Sequence, residues 1–131
     1  MDLTFLVAGY ASGPTLVLDQ PLSFWGGVDP ATGTIIDAAH PQLGAVITGR
    51  ILVMPSGRGS SSASSVLAEC IRTGTAPAGI VLGEADPIVA LGALVAKELY
   101  PDRVCPVAVA ADYSQAARAE SITMDPNQAT G

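Results

Sequence analysis

The sequence predicts an α/β fold with a strand-rich first half and βαβ crossovers in the second. Two observations carry that expectation. Fourteen glycines and ten prolines punctuate all 131 residues, so the elements between them are short. The apolar pattern also changes period near residue 60, from short β-type runs to spacings of three and four. A chain of this length, 49% hydrophobic and 14% charged, buries enough apolar surface for one core, so residues 1–131 read as a single domain.

In chain order, residues 3–8 form a β-type run, 9–14 a turn cluster and 15–18 a second strand closed by Asp19-Gln-Pro21. Residues 22–30 place large aromatics beside paired glycines and read as a loop, with a turn at 31–33. Residues 34–37 and 45–54 are further strands, the second bent near Gly49 and Arg50, with 40–44 connecting them. Over 60–73, Ala63, Val66, Leu67, Cys70 and Ile71 make an apolar helical stripe, capped by serines and stopped by Gly74. Residues 77–82 are a buried strand. Asp86 caps a helix with Pro87 at its first position, running to about Tyr100 before Pro101. The last strand spans 104–110, and 112–131 read as a loosely ordered polar tail.

Six basic against twelve acidic residues give a net charge of −6, with no basic run, which argues against a nucleic-acid or anionic-membrane surface. No apolar stretch reaches the length of a membrane span, and Asp2 stands where a signal peptide needs a basic residue, so the expected setting is cytoplasmic. Two cysteines, Cys70 and Cys105, are too few for a zinc or iron–sulfur ligand set and read as buried thiols. No metal site is expected on this chain.

The chemistry concentrates in Met-Pro-Ser-Gly-Arg-Gly-Ser-Ser-Ser-Ala-Ser-Ser at 54–65. A strand that turns through two glycines into a helix start gathers backbone N–H groups and the positive end of the helix dipole, an anion site for a carboxylate or phosphate. Gly57 and Gly59 allow close approach, and Arg58 offers a planar cationic fork. The segment is neither a P-loop, since the lysine is missing, nor a Gly-x-Ser-x-Gly elbow, since His40 is the only histidine. A base at Ser60 must act as an alkoxide, which that field would stabilise. Ser23-Phe24-Trp25-Gly26 is the second candidate, lining a pocket or a partner surface. His40 reads as a turn histidine, and Asp86 as a cap rather than an acid–base group working with Glu84.

Four stretches carry a family resemblance: residues 21–30 (PLSFWGGVDP), 32–44 (TGTIID with His-Pro and Gly following), 49–64 (GRILVMPSGRGSSSAS) and 76–82 (APAGIVL). From about Leu6 to Val109 the chain resembles the small, swivel-domain subunit of the aconitase X family. The resemblance implies a swiveling β/β/α fold and a larger partner subunit that carries an iron–sulfur cluster. It also implies dehydration of a small hydroxy acid, cis-3-hydroxy-L-proline in many bacteria or mevalonate 5-phosphate in archaea. The proton-abstracting serine of aconitases falls on Ser60 and its neighbour on Ser61. The arginine of the aconitase motif is replaced by Ser62, which leaves Arg58, Gly59 and the helix N–H groups as anchors for the substrate anion. Two other classes remain open on the residues alone: a stand-alone anion-binding module and a structural partner docking through the aromatic loop.

Overall fold

The computed structural model describes residues 1–58 and 62–127. Six strands form one sheet in the order β1-β7-β6-β5-β2-β8: β1 (Leu3–Val7), β2 (Ala11–Val17), β5 (Ile51–Met54), β6 (Gly79–Leu82), β7 (Val107–Ala110) and β8 (Ser121–Met124). Strands β2, β5, β6 and β7 are parallel, and β1 and β8 close the two edges antiparallel. A separate hairpin pairs β3 (Val28–Asp29) with β4 (Thr34–Ile35). The helices are α1 (Ser62–Thr73), α2 (Pro87–Leu99) and α3 (Tyr113–Arg118).

The strands of the parallel core are apolar on both sides because both faces are covered. Leu52, Met54, Ile80, Leu82 and Val107 meet α1, α2 and the segment between β2 and β5. Ile51, Val53, Val81, Ala108 and Ala110 meet Ala116 of α3 and Ile122 and Met124 of β8. The crossovers β5-α1-β6 and β6-α2-β7 are those the change of period predicts. Gly74 ends α1 with φ +82°, and the Asp86 carboxylate accepts from the N–H groups of Ile88 (2.9 Å) and Val89 (3.1 Å) at the start of α2.

Three expectations need correction. Residues 11–14 are the first half of β2 rather than a turn, paired with β8 on one side only, an edge-like setting that tolerates Pro14. Residues 45–50 are not strand: Val46 bridges Thr34 and the chain then turns through Gly49, φ +71°. The region from 112 is not loose as far as 127, since Asp112 caps α3 and β8 buries Ile122 and Met124 against the sheet. A Cβ on Gly79 would collide with the Met124 sulfur, so the Met124 side chain reaches over β6.

Candidate functional site

Parallel strands converge their C-terminal ends on one edge of a sheet, and the connections leaving those ends form the crevice where ligands bind in such folds. Here β5 ends at Met54, and Pro55 turns the chain: its carbonyl accepts from the N–H groups of Gly83 (2.9 Å) and Glu84 (3.1 Å), which leave β6 at the same end. Ser56, Gly57 and Arg58 follow, and α1 is under way by Ser62. Gly59, Ser60 and Ser61 lie outside the described residues, so the candidate base is bracketed by Arg58 and Ser62.

The bracket is held from two sides. Leu22 bridges Gly57, and the Arg58 N–H donates to the Leu22 carbonyl at 3.3 Å, which brings the aromatic loop to the serine segment. On the other side Gly57 touches α2: a Cβ there would stand 2.7 Å from Val89 Cγ2 and closer still to Asp86 Oδ2. Arg58 is exposed, and its guanidinium makes no hydrogen bond or ion pair with another described residue. It is thus available to an anion from solvent. Ser62 is exposed at the head of α1.

The two halves of the aromatic loop differ. Phe24, only 1% exposed, belongs to the core with Leu22 and supports the loop from inside, which removes its ring from a surface ligand. Trp25 is 60% exposed, and Gly26 beside it, φ +75°, stands in open space. The Ser23 hydroxyl donates to the Trp25 carbonyl at 3.1 Å and closes the turn. Gly27 must be glycine, because a Cβ would run into the Ser23 carbonyl oxygen.

His40 is a buried structural group in an otherwise exposed turn. Its Nδ1 accepts from the Gln42 N–H at 3.0 Å, so its Nε2 carries the proton and donates to the Gln20 carbonyl at 3.1 Å. Asp86 is the cap of α2 that its sequence position suggested, with the added contact to Gly57 that sequence spacing does not reveal.

Among the described residues no three His, Cys, Asp or Glu side chains gather as a metal site. Cys70 and Cys105 are buried and carry no disulfide. Burial pushes both thiols up, Cys105 to about 12, which keeps them protonated and unsuited as thiolate ligands. No helix among the described residues is long and apolar enough to cross a membrane.

Comparison with known proteins identifies the family and the fold. Residues 1–130 match the family model described as aconitase X swivel domain. The chain is 54% identical over 103 residues to cis-3-hydroxy-L-proline dehydratase of Pseudomonas aeruginosa, which covers 79% of this chain and 18% of that protein. It is 45% identical over 96 residues to the phosphomevalonate dehydratase small subunit of Methanothermobacter thermautotrophicus, covering 73% of each. Among solved structures, the holo-form of aconitase X from Thermococcus kodakaraensis superposes with a TM-score of 0.77 at 39% identity, over 87% of this chain and 82% of that one. The chain therefore spans about a fifth of the bacterial relative's length and about three quarters of the archaeal small subunit's.

Proposed function

Because the chain belongs to the aconitase X swivel-domain family, we propose that it is the small subunit of an iron–sulfur hydro-lyase that dehydrates cis-3-hydroxy-L-proline to a pyrroline-2-carboxylate. The observation that carries this reading is the junction between the C-terminal end of β5 and α1, where Arg58 is exposed and its guanidinium makes no hydrogen bond or ion pair with another described residue. The fold supports it as well: the swiveling β/β/α fold expected from sequence is shared with an aconitase X at 39% identity.

In this reading Ser60, as alkoxide, takes the proton from the carbon bearing the carboxylate. That C–H bond breaks, its electron pair forms the carbon–carbon double bond, and the C–O bond on the adjacent carbon breaks; a cluster held by the partner would supply the Lewis acid that takes up the departing hydroxide. The enamine then tautomerises to the ring imine. The positive end of α1 and the Arg58 guanidinium stabilise the alkoxide and anchor the substrate anion, with Gly59, Ser61 and Ser62 contributing donors. Trp25 and Gly26 form the exposed rim, and Ser23 holds their turn.

The described residues do not fit an iron–sulfur cluster, since the only two thiols are buried and protonated. The cluster implied by the family belongs, in this reading, to a larger partner chain, and the other steps above are those of this chain's own residues. Such a partner would correspond to the part of the bacterial relative that this chain does not match, about four-fifths of its length. The setting is cytoplasmic, without nucleic acid or membrane. A second reading, dehydration of mevalonate 5-phosphate, is favoured by the match to a separate small subunit of similar size.

The test is anaerobic coexpression with the large chain and parallel assay of both hydroxy acids. Hydroxyproline dehydration supports the first reading and phosphomevalonate dehydration the second; a cluster-loaded pair that dehydrates neither overturns both. Ser60→Ala should abolish turnover while costing only about 1 kcal/mol of stability as a lost cap serine. Near-wild-type turnover in that variant removes Ser60 from the base role.

A further inference from the structure

Two exposed charges of opposite sign stand uncommitted where β5 and β6 end. Neither the Arg58 guanidinium nor the Glu84 carboxylate has a hydrogen-bond or ion-pair partner among the described residues, and the ion pair of Arg72 with Glu69 lies away from them, within α1. The backbone holds the two positions near each other. Strands β5 and β6 are parallel neighbours with Met54 beside Leu82, and the residues that follow stay joined, since the Pro55 carbonyl accepts from the Gly83 and Glu84 N–H groups at 2.9 and 3.1 Å. Arg58 follows Pro55 by three residues, which span at most about 11 Å, and its own N–H is held by the Leu22 carbonyl at 3.3 Å. Asp86, the other carboxylate of this connection, is already engaged by the N–H groups of Ile88 and Val89.

We infer that Arg58 and Glu84 form a receptor for a zwitterion, the guanidinium taking the carboxylate of an α-amino acid and the Glu84 carboxylate taking its ammonium. The inference rests on the reading that substrate binds at this junction, and it deepens that reading by making Glu84 the residue that selects an amino acid among small hydroxy acids. In cis-3-hydroxy-L-proline the carboxylate and the secondary ammonium are attached to one carbon, so a ligand held by both charges has the C–H bond of that carbon set in one direction. Mevalonate 5-phosphate carries no cation. Its anionic groups gain from Arg58 and are repelled by Glu84, so one carboxylate both attracts the first substrate and disfavours the second. A charge-assisted hydrogen bond to the ammonium is stronger than one to a neutral group. Glu84 meets no bond that breaks, so it holds bound substrate and transition state alike.

The test is titration calorimetry on the coexpressed pair with two ligands that lack the departing hydroxyl: L-proline, and tetrahydrofuran-2-carboxylate, in which a ring oxygen replaces the ammonium. The wild-type pair should bind L-proline about 10-fold more tightly than the oxygen analogue. Glu84→Gln keeps the size of the side chain and lies at the surface, so the thermal midpoint should not move, while the preference for L-proline disappears through weaker L-proline binding alone. Arg58→Gln should weaken both ligands alike. With hydroxyproline as substrate, Glu84→Gln should raise KM about 10-fold at unchanged kcat, and Glu84→Asp should recover part of the loss. A wild-type pair without the preference, a Glu84→Gln pair that retains it, or an Arg58→Gln pair with both affinities intact overturns the inference. A pair that dehydrates neither hydroxy acid defeats the reading of the reaction instead, and the two ligands then decide the receptor by themselves.

Discussion

Three connections join neighbouring parallel strands in this molecule, and they are built in two ways. From β5 to β6 and from β6 to β7 the chain crosses on α1 and α2, whose apolar faces cover the sheet. From β2 to β5 it crosses on residues 18–50, which contain only the short β3–β4 hairpin. That segment must satisfy its backbone turn by turn. The Ile36 N–H donates to Gly27 (2.9 Å), Ile35 to Ala45 (2.8 Å), Ile47 to Gly33 (2.9 Å) and Gly44 to Ile35 (2.9 Å). It covers the sheet with separate anchors, Leu18, Leu22, Phe24, Val28, Ile35 and Ile47, all buried in the same cluster as the two helices. The difference teaches that a helix meets its backbone needs internally and offers a smooth face, whereas an irregular crossover needs more fixed points but can reach over the strand ends. That reach delivers Leu22 to Gly57 and leaves Trp25 exposed three residues further on.

The comparison breaks first at Phe24, the largest fully buried anchor of the irregular crossover. Phe24→Ala should cost about 3–5 kcal/mol in denaturant unfolding, in the upper part of the range for a buried helix residue such as Leu67→Ala, about 2–5 kcal/mol. A Phe24→Ala cost below about 1 kcal/mol would show that the irregular crossover does not share the core. His40 tests the turn-by-turn satisfaction. His40→Leu leaves the Gln42 N–H and the Gln20 carbonyl without their partner, and should cost about 1–3 kcal/mol by the same measurement. A neutral result would place those groups in water.

The helical side has a smaller probe in Cys105, which packs in the same cluster as α1 and α2. Its thiol ionises near 9 in an unfolded chain and, through burial and the nearby Cys70, near 12 in the fold. Between those values the folded state holds a proton that the unfolded state has lost. The contribution is therefore complete below pH 9 and is lost as pH rises through 9 to 12. Thermal midpoints measured across that window should fall more steeply for the parent chain than for Cys105→Ala.

The helical crossovers were legible because their signals are local. Spacings of three and four, Asp86 with Pro87 and the stop at Gly74 all act within one turn of chain. The irregular crossover was legible as a loop but not in its division of labour, because Phe24 and Trp25 are chemically alike and only the fold sends one inward and the other out. Helix α3 and strand β8 were missed although signals exist: Asp112 is an acceptor at a helix start, and Ser-Ile-Thr-Met at 121–124 alternates polar and apolar. Their surroundings are polar, and the partner strand is 107 or more residues away in sequence. The strand-to-helix junction that bears Arg58 was legible from the glycines and serines around it. The contact of Gly57 with Asp86 and Val89 was not, since a contact between α2 and that junction leaves no trace in the spacing of either.

Trp25 is the chain's single tryptophan, and it is exposed on a turn tied to Gly57. Its indole emission therefore comes from one exposed position on the turn beside Leu22, with no second fluorophore of its kind to subtract. Any body that settles over that turn also changes the solvent around that ring. The molecule is its own optical gauge of that event, without a label.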